Sequence, residues 1–243
     1  MAMGTGLYAE IAAVPADRVI VLPDGVGLTE AAVLPIAWFT AWYCLRRLAR
    51  LAPGETVVVQ AAASGVGSAA VQIAADLGAH VIAVAGSADK AAWAAGLGAH
   101  ETVDTAGHPG QAQVPEVLRL TGERGADVVL DAVGGQVFAH SLKEAAYGGR
   151  IVALANVALE PSTIDTRDFY PKNAAILGFQ LTNLLEHGYD PREDLREIAD
   201  RVAAGRYRVP VEAVVPLERA SEAHELLERR GNRGKIVLTT GQS

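Results

Sequence analysis

The chain has 243 residues, of which 50% are hydrophobic and 20% are charged, and its formal net charge is −7. This length fits one or two domains with a buried core, and the apolar content excludes a disordered chain. The acidic balance offers no basic field for nucleic acid or a membrane, and one cysteine excludes an internal disulfide or a cysteine-based zinc cage. We therefore expect a cytoplasmic protein that binds neither nucleic acid nor membrane.

The N-terminal part is predicted to contain two strands and a long helical stretch. Residues 7–14 and 19–22 have the pattern of strands joined by a turn at Pro15, Ala16 and Asp17. Helical periodicity then covers residues 28–51, with a break near Pro35, because proline lacks the N–H that a helix interior uses.

The middle of the chain alternates short apolar runs with helical segments. Strands are predicted at residues 56–62, 80–85, 101–104, 127–133, 150–156 and 174–181, and helices at 68–77, 88–97, 115–121 and 138–146. Strands that are apolar throughout are typical of a parallel sheet covered by helices on both faces. The pattern predicts an α/β fold with a doubly wound parallel Rossmann sheet of six strands in the order 3-2-1-4-5-6.

The C-terminal part does not continue this alternation. Strands are predicted at residues 209–215 and 235–239, with a helix over 218–229 between them. We expect these strands to combine with the N-terminal ones into extra β-structure built from both ends of the chain.

A glycine loop directly follows the first strand of the predicted sheet. Residues 62–67 (AASGVG) open the next helix, and backbone N–H groups at a helix N-terminus attract a pyrophosphate. The strict G-x-G-x-x-G pattern is not met, because Ala62 and Ser64 hold its first two glycine positions, and a plain strand-to-helix turn is the alternative. The strand before the loop and the helix and strand after it favour a nucleotide site.

The end of the second strand bears on the choice between NADPH and NADH. An NAD site places Asp or Glu there to accept from the ribose 2′-hydroxyl. Gly86 and Ser87 hold this position here, and Lys90 follows one helical turn later. A hydroxyl, a helix N-terminus and an ammonium suit a 2′-phosphate, which favours NADPH. In the alternative, Ser87 caps the next helix and Lys90 is solvated.

Short motifs along nearly the whole chain resemble one enzyme family. They are residues 8–10 (YAE), 22–25 (LPDG), 40–42 (TAW), 131–134 (DAVG), 149–152 (GRIV) and 234–238 (GKIVL). Their order is similar to that of the medium-chain dehydrogenases/reductases, in the zinc-independent branch of quinone oxidoreductases and enoyl reductases. The resemblance implies hydride transfer from NADPH to a quinone or an α,β-unsaturated carbonyl, in a cleft between a dinucleotide-binding domain and a GroES-like substrate domain.

The resemblance also implies a domain partition and a set of cofactor contacts. Residues 1–26 would be a remnant of the GroES-like domain, 27–182 the dinucleotide-binding domain with its leading helix, and 183–243 a helix and the return to the substrate domain. The implied contacts are Thr40, Ala155, Asn156, Phe179 and Leu181 at the nicotinamide, Ser64, Gly65, Val66 and Gly67 at the pyrophosphate, Gly86, Ser87 and Lys90 at the 2′-phosphate, and Val133 at the adenosine. Arg233 is a further candidate phosphate contact, with a solvated arginine as its alternative.

Catalytic chemistry is less defined by the sequence. Tyr43 lies one helical turn after Thr40, which makes its phenol a candidate proton donor, although packing is the alternative and solvent can supply the proton. The family often has a tyrosine where this chain has Thr105, so one cofactor contact is expected to be missing. Arg229 and Arg230, with other paired arginines, are interpreted as solvated helix ends. The six scattered histidines, including His108 in a Gly/Pro loop, do not have the spacing of a metal site.

The GroES-like domain is matched only over residues 4–24 and 209–240. We expect either a fragment of a longer protein or a short protein whose gap is covered by a partner or a second copy. In this branch the last sheet strand commonly pairs across a two-fold axis, so a homodimer that acts on a small molecule is expected. The second hypothesis is a family member that has lost reduction and serves as a cyclase, isomerase or lyase, or as a nucleotide-binding module.

Overall fold

A parallel six-stranded sheet forms the centre of the structure, which is a computed structural model that describes residues 1–106 and 113–241. Its strands are β1 Thr56–Val59, β2 His80–Ala85, β3 Glu101–Asp104, β4 Ala126–Asp131, β5 Ala145–Ala153 and β6 Ala175–Gly178. They pair in the order β3-β2-β1-β4-β5-β6, with every neighbour parallel. The predicted fold class and strand order are confirmed.

Helices cover both faces of this sheet. They are α3 Gly65–Asp76, α4 Ala88–Ala95, α5 Gln113–Leu120, α6 Gly135–Glu144, α7 Leu181–Glu186 and α8 Arg192–Ala203. Side chains alternate along each strand, so Val57 and Val59 of β1 enter one apolar cluster with α3 and α8, whereas Val58 enters the other with α5 and α6. Burial on both faces explains why the strands are apolar throughout.

The predicted helical stretch before β1 is confirmed, together with its break at Pro35. It consists of α1 Leu28–Ala31, a π-helical turn Leu34–Trp38, α2 Phe39–Trp42 and a second π-helical turn Tyr43–Leu48. The Trp42 ring is fully buried, and its Nε1 donates to the Asp194 carboxylate of α8 at 3.0 Å. Arg47 donates to the same carboxylate at 2.7 Å, which fixes α8 against this stretch.

A second, two-stranded sheet is formed by the C-terminal part. Parallel strands β7 Val211–Pro216 and β8 Lys235–Thr239 are joined through α9 Ala220–Glu228. The turn before β8 contacts the glycine loop, because the Gly234 N–H donates to the Ala63 carbonyl at 2.8 Å and Ser64 forms a bridge with Gly234. This contact brings the segment after α9 to the carboxyl edge of the large sheet.

The prediction of N-terminal strands over residues 7–14 and 19–22 is wrong. The described chain has only an isolated antiparallel bridge between Ala2 and Val19 there, and Ile11 is 90% exposed. A strand needs a neighbour for its backbone hydrogen bonds, and no described strand lies beside these segments. The domain partition stays a prediction. No helix in the described part of the chain is long and apolar enough to cross a membrane.

Strand β6 forms one edge of the large sheet, and its outer edge is where the predicted homodimer contact would form. The Phe179 N–H donates inward to the Ala153 carbonyl at 2.9 Å, so by alternation the Ile176 N–H points outward. We predict that Ile176→Pro, which removes this outward donor, converts a dimer into a monomer. Ile176→Ala is the control, because it shortens the same side chain and keeps the N–H. The check is the molar mass from light scattering, and a dimeric Ile176→Pro variant would contradict this pairing.

Candidate functional site

The glycine loop packs the start of α3 directly onto the end of β1. Ser64 caps α3, and its Oγ accepts from the Gly67 N–H at 3.0 Å. A Cβ on Gly67 would collide with the Ala61 carbonyl oxygen and lie 2.8 Å from the Ala62 Cα, so only glycine allows this approach. At Gly65 the space is filled by the side chain of Lys235, whose Cγ would lie 2.8 Å from a Cβ. Both glycines therefore have packing roles in the structure.

A cavity of 690 Å³ opens beside this loop at the carboxyl ends of β1 to β4. It includes the point where the strand order reverses, between β1 and β4, which is where open α/β sheets bind ligands. We call it the Lys90 cavity; its lining residues used below are Gln60, Ser64, Val84, Gly86, Lys90, Thr105, Gln113, Val133, Val137, Val157, Arg230 and Asn232. Ser64, Gly86, Lys90 and Val133, which the sequence assigned to one ligand, are thus brought together.

The C-terminal segment supplies a second cation to the Lys90 cavity. Lys90 Nζ donates to the Arg230 carbonyl at 2.6 Å, and Arg230 lines the same cavity. Arg230 adopts the left-handed conformation, with a φ of 52°, between α9 and Gly231. Arg230 is exposed just after the end of α9, as the interpretation of a solvated helix end expects, and in addition it lines this cavity. The sequence has no local signal for the cavity position of Arg230, because contacts between segments far apart in the chain, such as that between Gly234 and Ala63, place this turn at the sheet.

Three other sequence assignments meet the Lys90 cavity differently. Ser87 caps α4, and its Oγ accepts from the Lys90 N–H at 3.3 Å, so the capping alternative is observed. Thr105 lines the cavity, and its hydroxyl donates to the Ala85 carbonyl at 3.2 Å. Arg233 does not line it. Its Nε lies 3.8 Å from Glu212 Oε2, and it borders a separate cavity of 610 Å³.

The residues assigned to the nicotinamide end are not gathered into one cavity. The Tyr43 ring packs on Phe179, with centroids 5.4 Å apart, and both line a third cavity of 570 Å³. Thr40 is buried on α2 at 6% exposure. Leu181 begins α7 and packs on the first apolar cluster.

Aromatic packing surrounds Tyr43 on two further sides. Its ring meets the Tyr189 ring edge-on at 5.0 Å, and the Phe39 ring at 6.0 Å. These contacts agree with the alternative in which Tyr43 is a packing residue and not a proton donor. In the loop that follows β5, Ala155 is exposed. Asn156 lies beside Gly134, and its Nδ2 donates to the Glu160 carbonyl at 2.8 Å.

A buried polar group at the base of the Lys90 cavity was not predicted from the sequence. Gln60 and Gln113 line the cavity, and behind them the fully buried Glu144 accepts from Gln60 Nε2 at 2.9 Å and from Gln113 Nε2 at 2.6 Å. Next to them, the Ser141 hydroxyl donates to Asp131 at 2.7 Å. Burial raises the pKa of Glu144 to about 7, although the bonds from Gln113 and Gln60 oppose the rise. Glu144 follows Lys143 at the end of α6, so no local pattern in the sequence marked it as buried.

Metal-ligating residues do not converge in residues 1–106 and 113–241, where no three of the His, Cys, Asp or Glu side chains could share an ion. Cys44 is buried, and burial raises the pKa of its thiol. His108 lies outside the described residues.

Known proteins share this architecture and sequence. The sequence model of the family described as zinc-binding dehydrogenase matches residues 65–204. Quinone oxidoreductase of Mus musculus is 31% identical over 241 residues, which cover 96% of this chain and 70% of that protein. The chain belongs to the medium-chain dehydrogenase/reductase superfamily. The predicted resemblance is confirmed at the level of the family.

Solved structures of the same superfamily superpose closely. An NAD-dependent alcohol dehydrogenase has a TM-score of 0.87 and 37% identity, over 97% of this chain and 66% of that one. A mycobacterial protein complexed with NADPH has a TM-score of 0.87 and 30% identity, over 96% and 71%. The CurK enoyl reductase has a TM-score of 0.80 and 27% identity, over 93% and 67%. This chain therefore spans about two thirds of these superfamily members.

The close approach of the Ala61 and Ala62 backbone to Gly67 leads to a prediction about stability. We expect Gly67→Ala to lower the free energy of unfolding by about 1–3 kcal/mol, because the added methyl group meets backbone atoms that cannot move aside. Gly86→Ala is the matched control in the next strand-to-helix turn, since a Cβ there has no atom within 4 Å. Urea unfolding followed by circular dichroism compares the two, and equal losses would contradict the packing role.

Glu144 makes the stability of the superfamily member depend on pH. Its pKa of about 7 in the folded chain exceeds the ordinary glutamate value of 4.5, so its contribution to stability is complete below about pH 4.5 and is lost as the pH rises through 7. The loss between about pH 5 and pH 8 should approach roughly 3 kcal/mol. Glu144→Gln should remove this pH-dependent contribution to the free energy of unfolding.

The check is the difference in unfolding free energy between the native chain and Glu144→Gln at each pH, because groups common to both proteins cancel. Those groups include Asp131, which also raises the pKa of Glu144, and Lys172, which lowers it. His140 and Lys143 lie on the same helix as Glu144. A difference that stays constant with pH would show that Glu144 does not titrate in this range.

Proposed function

We propose that the chain binds NADPH in the Lys90 cavity and transfers its hydride to a quinone or an α,β-unsaturated carbonyl without zinc. The observation that carries the cofactor part is that two cationic residues, Lys90 and Arg230, line one cavity at the end of β2. Strand β2 ends in Ala85 and is followed by Gly86 and Ser87, so no carboxylate holds the position that accepts from an unmodified ribose. Two cations and no anion suit a phosphate there.

The Lys90 cavity fits the adenosine half of a dinucleotide in both size and chemistry. Its 690 Å³ lies within the range of small-molecule sites, and Val84, Val133 and Val137 offer apolar faces to a flat base. Ser64, at the N-terminus of the 12-residue helix α3, lines the same cavity, and this helix end favours a pyrophosphate. When bound, NADPH supplies a hydride from its nicotinamide, and the residues of this chain bind and orient it.

The acceptor class is supported by the relatives. One relative is described as a quinone oxidoreductase and one structural neighbour as an enoyl reductase, and quinones and α,β-unsaturated carbonyls are both electron-poor hydride acceptors. The alcohol dehydrogenase among the neighbours is described as NAD-dependent, so the cofactor choice for this chain is argued from Lys90 and Arg230 and not from identity alone. Tyr43 packs among three aromatic rings, and we assign the protonation step to solvent.

The direct test is to mix the chain with NADPH and follow its absorbance and fluorescence with a panel of quinones and enones. The proposal expects saturable binding and substrate-dependent oxidation. Binding without oxidation by any acceptor would favour a member that has lost reduction, such as an isomerase, a lyase or a nucleotide-binding module. Absence of binding would reject the cofactor assignment.

The cation pair makes a sharper prediction. Lys90→Ala and Arg230→Ala should each weaken NADPH binding about tenfold or more, because each removes a charge-assisted contact, and should leave NADH binding nearly unchanged. Arg229→Ala is the matched control, since this neighbouring arginine pairs with Glu225 at 3.5 Å and does not line the cavity. Isothermal titration with both coenzymes measures the change. Equal losses for NADPH and NADH would contradict a role at the 2′-phosphate.

A further inference from the structure

A polar wall closes the base of the Lys90 cavity. We define it as Gln60, Gln113 and Glu144, which come from the end of β1, the start of α5 and the end of α6. Gln60 and Gln113 are each 2% exposed and both line the cavity, whereas Glu144 is fully buried behind them. The valine walls are sufficient for an apolar base, so the presence of three buried polar groups here needs its own explanation.

Hydrogen bonding fixes the orientation of both amides. An ionised carboxylate only accepts, so the amide nitrogens of its two neighbours must point toward it. Gln60 Nε2 lies 2.9 Å from Glu144 Oε2, and Gln113 Nε2 lies 2.6 Å from Glu144 Oε1. Gln113 Nε2 also donates to Gln60 Oε1 at 3.1 Å, which satisfies that oxygen. Gln113 Oε1 remains as the amide oxygen of the wall without a partner among the described residues.

The base of the proposed cofactor has to reach this wall. The extra phosphate of NADPH sits on the ribose that carries adenine, so an anchor at Lys90 and Arg230 places that ribose and its base in the same cavity. Val84, Val133 and Val137 line the same cavity as the two cations and the two glutamines of the polar wall, and they suit the two faces of a purine. The edge of the base would meet Gln113.

We infer, on the basis of the proposed NADPH binding, that Gln113 reads the exocyclic amino group of adenine through Oε1, and that Glu144 is the positioning residue that holds Gln113 in this orientation. A 6-aminopurine donates to that oxygen. A 6-oxopurine presents an oxygen to it, so the site discriminates against hypoxanthine. Gln60 supports the arrangement, because its amide links the other two members of the wall.

The experiment compares binding of NADPH with that of its deamino analogue, which carries hypoxanthine, at about pH 8.5, where Glu144 is ionised. The native chain should prefer NADPH about tenfold. NADPH gains one neutral hydrogen bond to Gln113 Oε1, whereas the deamino analogue places an acceptor oxygen against that acceptor oxygen. Glu144→Gln should bring the ratio close to one, since its amide both donates and accepts and no longer forces either glutamine to point its nitrogen inward. Gln113→Leu should do the same.

Gln72→Met is the matched control. This buried glutamine bonds the backbone of Arg208 on both sides at 2.8 Å, away from the cavity, so its loss affects stability and leaves the base preference intact. A mere structural role for Glu144 would likewise lower stability without changing the ratio of the two affinities. If Glu144→Gln does not fold, Gln113→Leu decides the base-recognition claim on its own.

The outcomes separate this inference from the proposed function. Equal binding of both dinucleotides by the native chain would overturn the inference and leave NADPH binding standing. A preference retained in Glu144→Gln would overturn the positioning role, and a preference retained in Gln113→Leu would overturn base recognition. Failure of the native chain to bind either dinucleotide would overturn the proposed function and this inference with it.

Discussion

The contact between the start of α3 and the end of β1 is the constraint on which the site depends. Gly67 permits it, because any side chain there would meet the backbone of Ala61 and Ala62. With the helix start fixed at this point, Ser64 can cap α3 and still line the cavity. The same approach brings the carboxyl end of β1 to the point where the strand order reverses, so the cavity follows from the sheet topology together with one residue without a side chain.

The second half of the site comes from the other end of the chain. Hydrogen bonds from Gly234 to Ala63 and from Lys90 to the Arg230 carbonyl hold the turn after α9 against both strand-to-helix turns of the large sheet. The two-stranded sheet β7–β8 therefore positions the binding residues as well as packing on the core. Arg230 occupies a left-handed conformation that a non-glycine residue adopts at a cost, and the surrounding hydrogen bonds stabilise it.

Sequence patterns predict what depends on local order and burial. Continuous apolar strands such as β1 and β4 gave the parallel sheet, and the residues after β2 indicated a phosphate site, because these features are contained in short segments. Residues 7–14 have an apolar pattern, but they form no strand, since a strand depends on a neighbour that the pattern does not specify. Arg230 and Gln113 were missed for a related reason. Both reach the cavity through contacts between segments far apart in the chain, and no local period encodes those contacts.

The two ends of the cavity use opposite means to hold a ligand. Lys90 and Arg230 stand near solvent, where charge can attract an anion without a large desolvation penalty. Glu144 is fully buried, and its carboxylate is tolerated because Gln60 and Gln113 donate to it. A buried acceptor of this kind contributes little to binding by itself, but it removes the freedom of a glutamine amide to rotate by half a turn. In the proposed function, charge at Lys90 and Arg230 would provide affinity for a phosphate, and the fixed amide orientation of the polar wall would provide selectivity for the base. The polar wall is accordingly almost completely buried, with Gln60 and Gln113 each 2% exposed, whereas Lys90 is half-buried and Arg230 is exposed.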